Sequence, residues 1–364
     1  MPLLVTLMAA VFGCAEESPS TGPQAGTASG PPAETEQSPE SAPGDYRRFG
    51  IAEPKPKVDG AIRVVSYNVL NLFDDVDDPT LSGRQEDIDD TKPEAHARAV
   101  AETIRRIDPD ILCLQEVENE AALRAFVDAY LADMGYDHIL SLDAGDARGI
   151  EQSVLSRFPI VGSEQWVRMP LGGVHPDEYG DQENWYAGED ITYHRSPLRA
   201  DVRVDRPGTE PYDITLFVLH CKSGRYSSYW REAEAQALAA ELREVQQAEP
   251  ERNILVLGDF NATPDQASVV TYLQAGFRDL FESAGLGTPE TTTHESGRRI
   301  DYMLFNPALA PEIVPGSGHV VGTPALPEGR SWREPWRPDG YAADHYPVIV
   351  DILAADSQPQ PGAS

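Results

Sequence analysis

Residues 253–264 read NILVLGDFNATP, an apolar run that stops at Gly258-Asp259-Phe260-Asn261. A run this short, closed by glycine and turn-forming residues, predicts a buried strand over 253–258. The carboxylate and carboxamide at its end stand where α/β folds place their chemistry. The same design repeats in both directions along the chain. Ala61–Leu70 (AIRVVSYNVL) is a strand that carries Ser66-Tyr67-Asn68, and Ile111–Gln115 leads into Gln115-Glu116. A strand over 213–220 ends in His220-Cys221-Lys222. Another over 299–305 carries Asp301, and one over 347–352 follows Asp344-His345-Tyr346-Pro347. Further strands are predicted near 153–157 and 198–204. Between them, 92–107 places Ala95, Ala99, Val100, Ile104 and Ile107 on one helical face and stops at Asp108-Pro109. Helices at 120–134 and 229–248 complete one α/β-type domain without internal repeats.

Each polar strand end has an ordinary reading, since Asp and Asn commonly cap the next turn. Their recurrence does not. Carboxylates, carboxamides and histidines at the ends of apolar strands are costly to bury without a shared ligand. Their oxygen-rich chemistry suits Mg²⁺ or Mn²⁺, and the lack of clustered Cys or close His pairs disfavours zinc.

The chain has 364 residues, 40% of them hydrophobic, enough for a substantial core. Its three cysteines, Cys14, Cys113 and Cys221, make neither a disulfide scaffold nor a zinc motif. Residues 2–13 (PLLVTLMAAVFG) suit the apolar part of a secretory signal, and with Cys14 they resemble a bacterial lipobox. The expected organisation is a signal segment at 1–14 and a disordered Ser/Pro/Gly/Glu-rich linker at 15–57. A catalytic domain at 58–354 and a disordered tail at 355–364 follow. An exported protein, secreted or held in the bacterial envelope by a lipid on Cys14, is the corresponding expectation.

In order, SYNVLNLFD, LQEVEN, LHCKSG, LGDFNATP, RRIDYMLF and ADHYPV resemble the endonuclease/exonuclease/phosphatase superfamily, the fold of DNase I. The resemblance spans nearly all of residues 61–352. Asp146–Ile150 and Leu155–Ile160 are most similar to its bacterial secreted and surface nucleases. It implies a four-layer α/β/β/α sandwich and a metal-dependent phosphoesterase. Glu116 is implied as the principal metal carboxylate, with Asn68 and Asp344 beside the same Mg²⁺ or Mn²⁺. Asp259 would orient or deprotonate the attacking water, and Asn261 would help to hold water and phosphate. Asp301 would fix the tautomer and charge of His345. His220 would serve as general acid toward the leaving oxygen, and Arg195 would lie near the phosphate.

The expected activity is that of a nuclease hydrolysing extracellular DNA or RNA, with a phosphatase or phosphodiesterase for a small or lipid phosphate (inositol phosphate or sphingomyelin type) as the alternative. Formal charge is −31, and residues 58–364 still carry −28 after the seven acids and four bases of 1–57 are removed. That balance works against long-range capture of a polyanion. Arg298-Arg299 and the stretch RSWREPWR at 330–337, with Trp332 and Arg333, offer a local basic and aromatic rim suited to nucleic acid. Arg225, Tyr226, Tyr229 and Trp230 form a second such group. Asp74–Asp90 (DDVDDPTLSGRQEDIDD) holds eight acids and one arginine. It lacks the EF-hand order, so a solvated acidic loop is the expectation and an additional Ca²⁺ site the alternative. Residues 163–194 are expected to be a long loop that shapes access to the site.

Overall fold

Two six-stranded sheets carry the domain. The computed structural model describes residues 49–206, 208, 210–281, 288–327, 329–334 and 336–356, all within the unit Pro43–Ser364. In chain order the strands and helices begin with β1 (Ala61–Leu72), α1 (Glu94–Ile107), β2 (Ile111–Val117), α2 (Glu120–Tyr130), β3 (His138–Ser141), β4 (Glu151–Ser156) and β5 (Ile160–Gln165). Next come β6 (Pro170–Val174), β7 (Glu178–Tyr179), β8 (Gln182–Glu183), β9 (Asp190–Thr192), β10 (Leu198–Val204) and β11 (Tyr212–His220). The chain continues with α3 (Ser228–Ala248), β12 (Asn253–Asp259), α4 (Ala267–Gln274), β13 (Arg278–Asp279), β14 (Asp301–Phe305), β15 (His319–Val320) and β16 (Val348–Leu353). One sheet has the order β15-β16-β1-β2-β4-β3 and the other β13-β14-β12-β11-β10-β5.

Side chains alternate across each strand, so each sheet has two apolar faces to cover. Val64, Ile111 and Val154 of the β1 sheet meet Leu216, Leu255 and Met303 of the β12 sheet in the central core. The opposite face of the β1 sheet, with Val65, Leu112 and Leu155, packs under Val100, Ile104, Leu123 and Phe126 of α1 and α2. The outer face of the β12 sheet, with Phe217, Ile254 and Val256, packs under Leu238, Leu242, Val269 and Tyr272 of α3 and α4. Burying each such side chain contributes roughly 1.5–3 kcal/mol. The result is the expected four-layer α/β/β/α sandwich. Among the described residues, no helix is long and apolar enough to cross a membrane.

Several expectations are corrected. Residues 49–57, assigned to the linker by composition, pack on the domain. Ile51 bridges Val321, Lys55 Nζ donates to the Gly316 carbonyl at 2.7 Å, and Lys57 pairs with Asp110. Asp356, assigned to the tail, accepts from Asn253 Nδ2 at 3.2 Å. Residues 1–48, where the signal segment, Cys14 and the rest of the linker were expected, lie outside the described residues, as do 357–364. On α1, Ala95 is exposed and Ala97 takes the inward place. The long loop at 163–194 folds into two small ribbons, β6 with β9 and β7 with β8. They rest on α3 through an aromatic cluster of His175, Tyr186, Tyr229 and Trp230, and Trp230 Nε1 donates to the Thr192 carbonyl at 2.7 Å. Short strands with exposed glycines at 172 and 173 give no alternating pattern to read. Cys113 and Cys221 are free thiols, and burial raises the pKa of both.

Candidate active site

Strand register assembles half of the site directly. β11, β12 and β14 lie side by side, with His220 opposite Asp259 and Asp259 opposite Asp301. Gly258 makes that close pairing possible. Its φ is +134°, and a Cβ there would lie 2.0 Å from the Leu219 carbonyl oxygen, so only glycine fits. Asp259 is the hub. Its Oδ1 accepts from the Asn261 amide at 2.8 Å, and its Oδ2 accepts from Asn261 Nδ2 at 3.0 Å and Asn68 Nδ2 at 3.2 Å. The Nε2 atoms of His220 and His345 each lie 3.7 Å from that Oδ2. His345 Nδ1 donates to Asp301 Oδ2 at 2.9 Å, which turns Nε2 into the cleft.

Burial sets the charges of these groups. It raises the Asp259 carboxyl to about 7, against the pull of His345 and with help from Asp301 and Glu116. For His345, burial opposes protonation, but Asp301 and Asp259 outweigh it and raise the pKa well above the usual range. His220 moves the other way, because burial and the cations Arg195, His345 and Arg148 all disfavour its charged form. The neutral imidazole is therefore the favoured form of His220 in this arrangement. Its Nδ1 is buried without a partner, and its Nε2 faces Glu116 at 3.6 Å as well as Asp259.

The other half is built by irregularity. β1 and β2 pair in parallel, but the register shifts after Asn68 and after Gln115. Leu70, Asn71 and Glu116 have φ of 53°, 51° and 63°, a left-handed backbone that costs energy at non-glycine residues. The bulge aims Glu116 at the cleft, where it accepts from the Asn71 amide at 3.1 Å and from Asn68 Nδ2 at 3.3 Å. Asn68 therefore presents its NH₂ to two carboxylates, while its Oδ1 accepts from the Leu70 amide at 3.1 Å. In this arrangement it positions those two carboxylates.

Asp344 lines the same cleft and pairs with His294 Nε2 at 3.5 Å. Burial works against its charge, but His294 and the nearby His345 hold its carboxyl down to about 2. The Ser296 amide donates to His294 Nδ1 at 2.9 Å, which leaves the proton on Nε2 for Asp344. Asp344 Oδ1 is buried and has no partner. An ionised carboxylate with an orphaned oxygen, in the same cleft as the largely buried carboxylate of Glu116, fits a hard divalent cation. The groups His294–Asp344–His345 and Asp259–Asp301–His345 each bring three donor atoms within 4.8 Å.

Sequence reasoning missed three residues here. Lys92 sends its ammonium to the carbonyls of Val69, Leu70 and Ala342, tying the β1 bulge to the segment before Asp344. Burial lowers its pKa to about 8, against the attraction of Glu116 and Asp344. Its signal was a cation just ahead of a helix N-terminus, where the macrodipole disfavours one. His294 had no signal beyond a polar run. Arg148 stood within a recognised motif, and its Nη2 donates to Asn71 Oδ1 at 2.7 Å on the cleft wall.

Arg195 is not in the cleft. Its guanidinium is buried against Asp146 and donates to the Cys221 carbonyl at 3.2 Å, so it braces the end of β11 from behind. Arg299 also turns away, to Asp279 at 2.6 Å. Trp332 and Arg333 do reach the cleft. Trp332 stands edge-on to His294 with centroids 5.0 Å apart, and the Arg333 guanidinium lies 4.6 Å from the Trp332 ring. The cleft measures about 780 Å³. Its lining holds Arg148, Arg225, Arg231, Arg298 and Arg333 against the carboxylates Glu116, Asp259 and Asp344. Tyr226, Tyr229 and Trp230 line a separate pocket of about 420 Å³ with Trp185, Tyr186 and Lys222.

A sequence profile of the Endonuclease/Exonuclease/phosphatase family matches residues 65–322. No curated protein matches the sequence significantly. Among solved structures, the human Nocturnin catalytic domain, with a bound sulfate, superposes with a TM-score of 0.53. It is 16% identical over 81% of this chain and 95% of its own. An endonuclease/exonuclease/phosphatase family protein from Bacteroides thetaiotaomicron gives 0.51, at 18% identity over 82% and 96%. A mannosyl-6-phosphatase from the same organism gives 0.50, at 18% identity over 79% and 98%. These likenesses concern the fold.

Proposed function

The chain belongs to the endonuclease/exonuclease/phosphatase family and is a metal-dependent phosphoester hydrolase, and on that premise we propose that it is a nuclease. The single observation that carries the proposal is the cleft lining. In a chain of charge −31, Arg148, Arg225, Arg298, Arg333 and an indole gather around three carboxylates, while a fifth arginine, Arg231, is buried against the Lys222 and Gly224 carbonyls. Such a rim holds a polyanion locally although the whole molecule repels it at long range. Trp332 and Arg333 add a surface on which bases stack. Export, with or without acylation of Cys14, belongs to the same proposal and rests on residues 2–14.

Hydrolysis follows from the proton inventory. Asp259, with a pKa raised toward neutrality and held in place by Asn68, takes the proton of an in-line water beside Asn261. His345, kept cationic by Asp301, donates from Nε2 to a non-bridging phosphate oxygen where negative charge accumulates. Neutral His220 adds an N–H without competing for the proton. Glu116 and Asp344 are the residues that would hold Mg²⁺ or Mn²⁺. When bound, such an ion neutralises charge on the phosphate and the leaving oxygen.

The net charge favours a second reading, a phosphatase or phosphodiesterase for a small or lipid phosphate. The test sets plasmid DNA, RNA, inositol phosphates and sphingomyelin before the purified protein, with Mg²⁺ or Mn²⁺ and with EDTA. Metal-dependent nicking that is absent in Asp259→Asn supports the nuclease. Phosphate or phosphocholine release without nicking overturns it in favour of the second reading.

A further inference from the structure

We propose that the acidic loop at 74–90 is a Ca²⁺ site, built from the carboxylates of Asp77, Glu86 and Asp87. One oxygen of each lies within 4.8 Å of the others. Clusters of exposed acids occur without ions, but this one has a buried member. Asp87 is 2% exposed, its Oδ2 accepts from the Asp78 amide at 2.9 Å, and its Oδ1 is buried with no partner. A carboxylate oxygen sealed from water without a donor is costly, and the side chains grouped with Asp87 are two more carboxylates. A bound cation resolves all three charges at once.

The ligand set selects the ion. Only oxygens converge, which excludes the softer metals. Three carboxylates, each able to bind through one or both oxygens, leave an open solvent side at the exposed Asp77. That suits the variable six-to-eight coordination of Ca²⁺ better than the strict octahedron of Mg²⁺. The site is separate from the catalytic carboxylates but not remote from the cleft. Leu81 of the same loop fills the space over Gly149, where a Cβ would lie 2.6 Å from its Cδ1, and Gly149 follows the cleft residue Arg148. Ordering the loop with Ca²⁺ would hold that wall in place.

The test uses the full chain carrying Glu116→Gln, so that the catalytic site contributes little metal binding, freed of metal by chelation and then dialysed. Thermal unfolding is followed as Ca²⁺ or Mg²⁺ is added. Ca²⁺ should raise Tm by roughly 3–8 °C at saturation. The midpoint should lie near 0.1–1 mM, as estimated roughly for solvent-open carboxylate sites. Mg²⁺ at equal concentration should give less than half the shift. Asp77→Asn with Glu86→Gln, two positions that tolerate substitution because they are not buried, should abolish most of the Ca²⁺ shift. Asp87→Asn should abolish it too. No Ca²⁺ shift, an equal Mg²⁺ shift, or a full Ca²⁺ shift in the double variant would each overturn the proposal.

Discussion

The two sheets contribute to the cleft in different ways. In the β11–β12–β14 sheet, His220, Asp259 and Asp301 are neighbours by register alone. In the β16–β1–β2 sheet, Glu116 reaches the cleft only because both strands bulge, with three non-glycine residues in left-handed backbone and a lysine beneath them. On the proposed mechanism the first sheet arranges proton transfer on regular backbone, where positions follow from hydrogen bonding that the core already demands. The second places its carboxylate on strained backbone, which must be stabilised locally. Regular register is cheap and rigid, whereas the bulge is costly and depends on a few contacts. Chemistry should therefore be most sensitive to substitution in the first sheet, and folding near the site most sensitive in the second.

The largest expected effect is on the first sheet. Asp259→Asn removes the base and leaves one accepting oxygen where there were two, and turnover should fall about 10³–10⁴-fold while the protein stays folded. A loss below tenfold in a steady-state assay would break the division. Lys92→Met attacks the second sheet. It leaves three carbonyls with one donor fewer each and should destabilise the protein by about 2–3 kcal/mol in urea unfolding. An unchanged midpoint would show that the bulge stands without the lysine.

The legibility of the sequence follows the same division. The SYNVL, LQEV, LHCK, GDFN and RRIDY strand ends were readable because regular strands carry their side chains at a fixed period. So was the four-layer arrangement, once their order resembled a known family. The bulges were not readable, since nothing in Gln115-Glu116-Val117 distinguishes an ordinary strand residue from one at positive φ. For Asn68 and Arg195 the neighbourhood was legible and the individual contacts were not. For Asn68 the amide orientation is set by Glu116, Asp259 and Leu70 together, and for Arg195 by Asp146, forty-nine residues earlier in the chain. His294 stayed hidden because its partner Asp344 is fifty residues away.

Asp301→Asn sharpens the account of the first sheet. His345 is protonated below its raised pKa and loses that proton as pH rises through it. Without the Asp301 charge the pKa falls, so the alkaline limb of the kcat/KM profile should move to lower pH. The rate at pH 7 should drop about 10–100-fold. A profile displaced on its acid limb alone would give the alkaline limb to another group. The smallest expected effect lies outside both sheets. Trp332→Ala with Arg333→Ala should raise KM for plasmid DNA roughly three- to tenfold, in line with the loss of one stacking contact. Hydrolysis of a small phosphodiester should hardly change. Equal losses on both substrates would make that segment a structural cover.

A metal titration of two variants tests the division of labour most directly. Plasmid nicking is measured against Mg²⁺ concentration for Glu116→Gln and Asp259→Asn, beside the unaltered protein. If the β1–β2 bulge holds the ion and β12 holds the base, Glu116→Gln recovers activity as Mg²⁺ rises, with its half-maximal concentration shifted at least about tenfold. Asp259→Asn stays inactive at every concentration. Recovery of Asp259→Asn by added metal, or an unshifted titration for Glu116→Gln, would contradict the assignment.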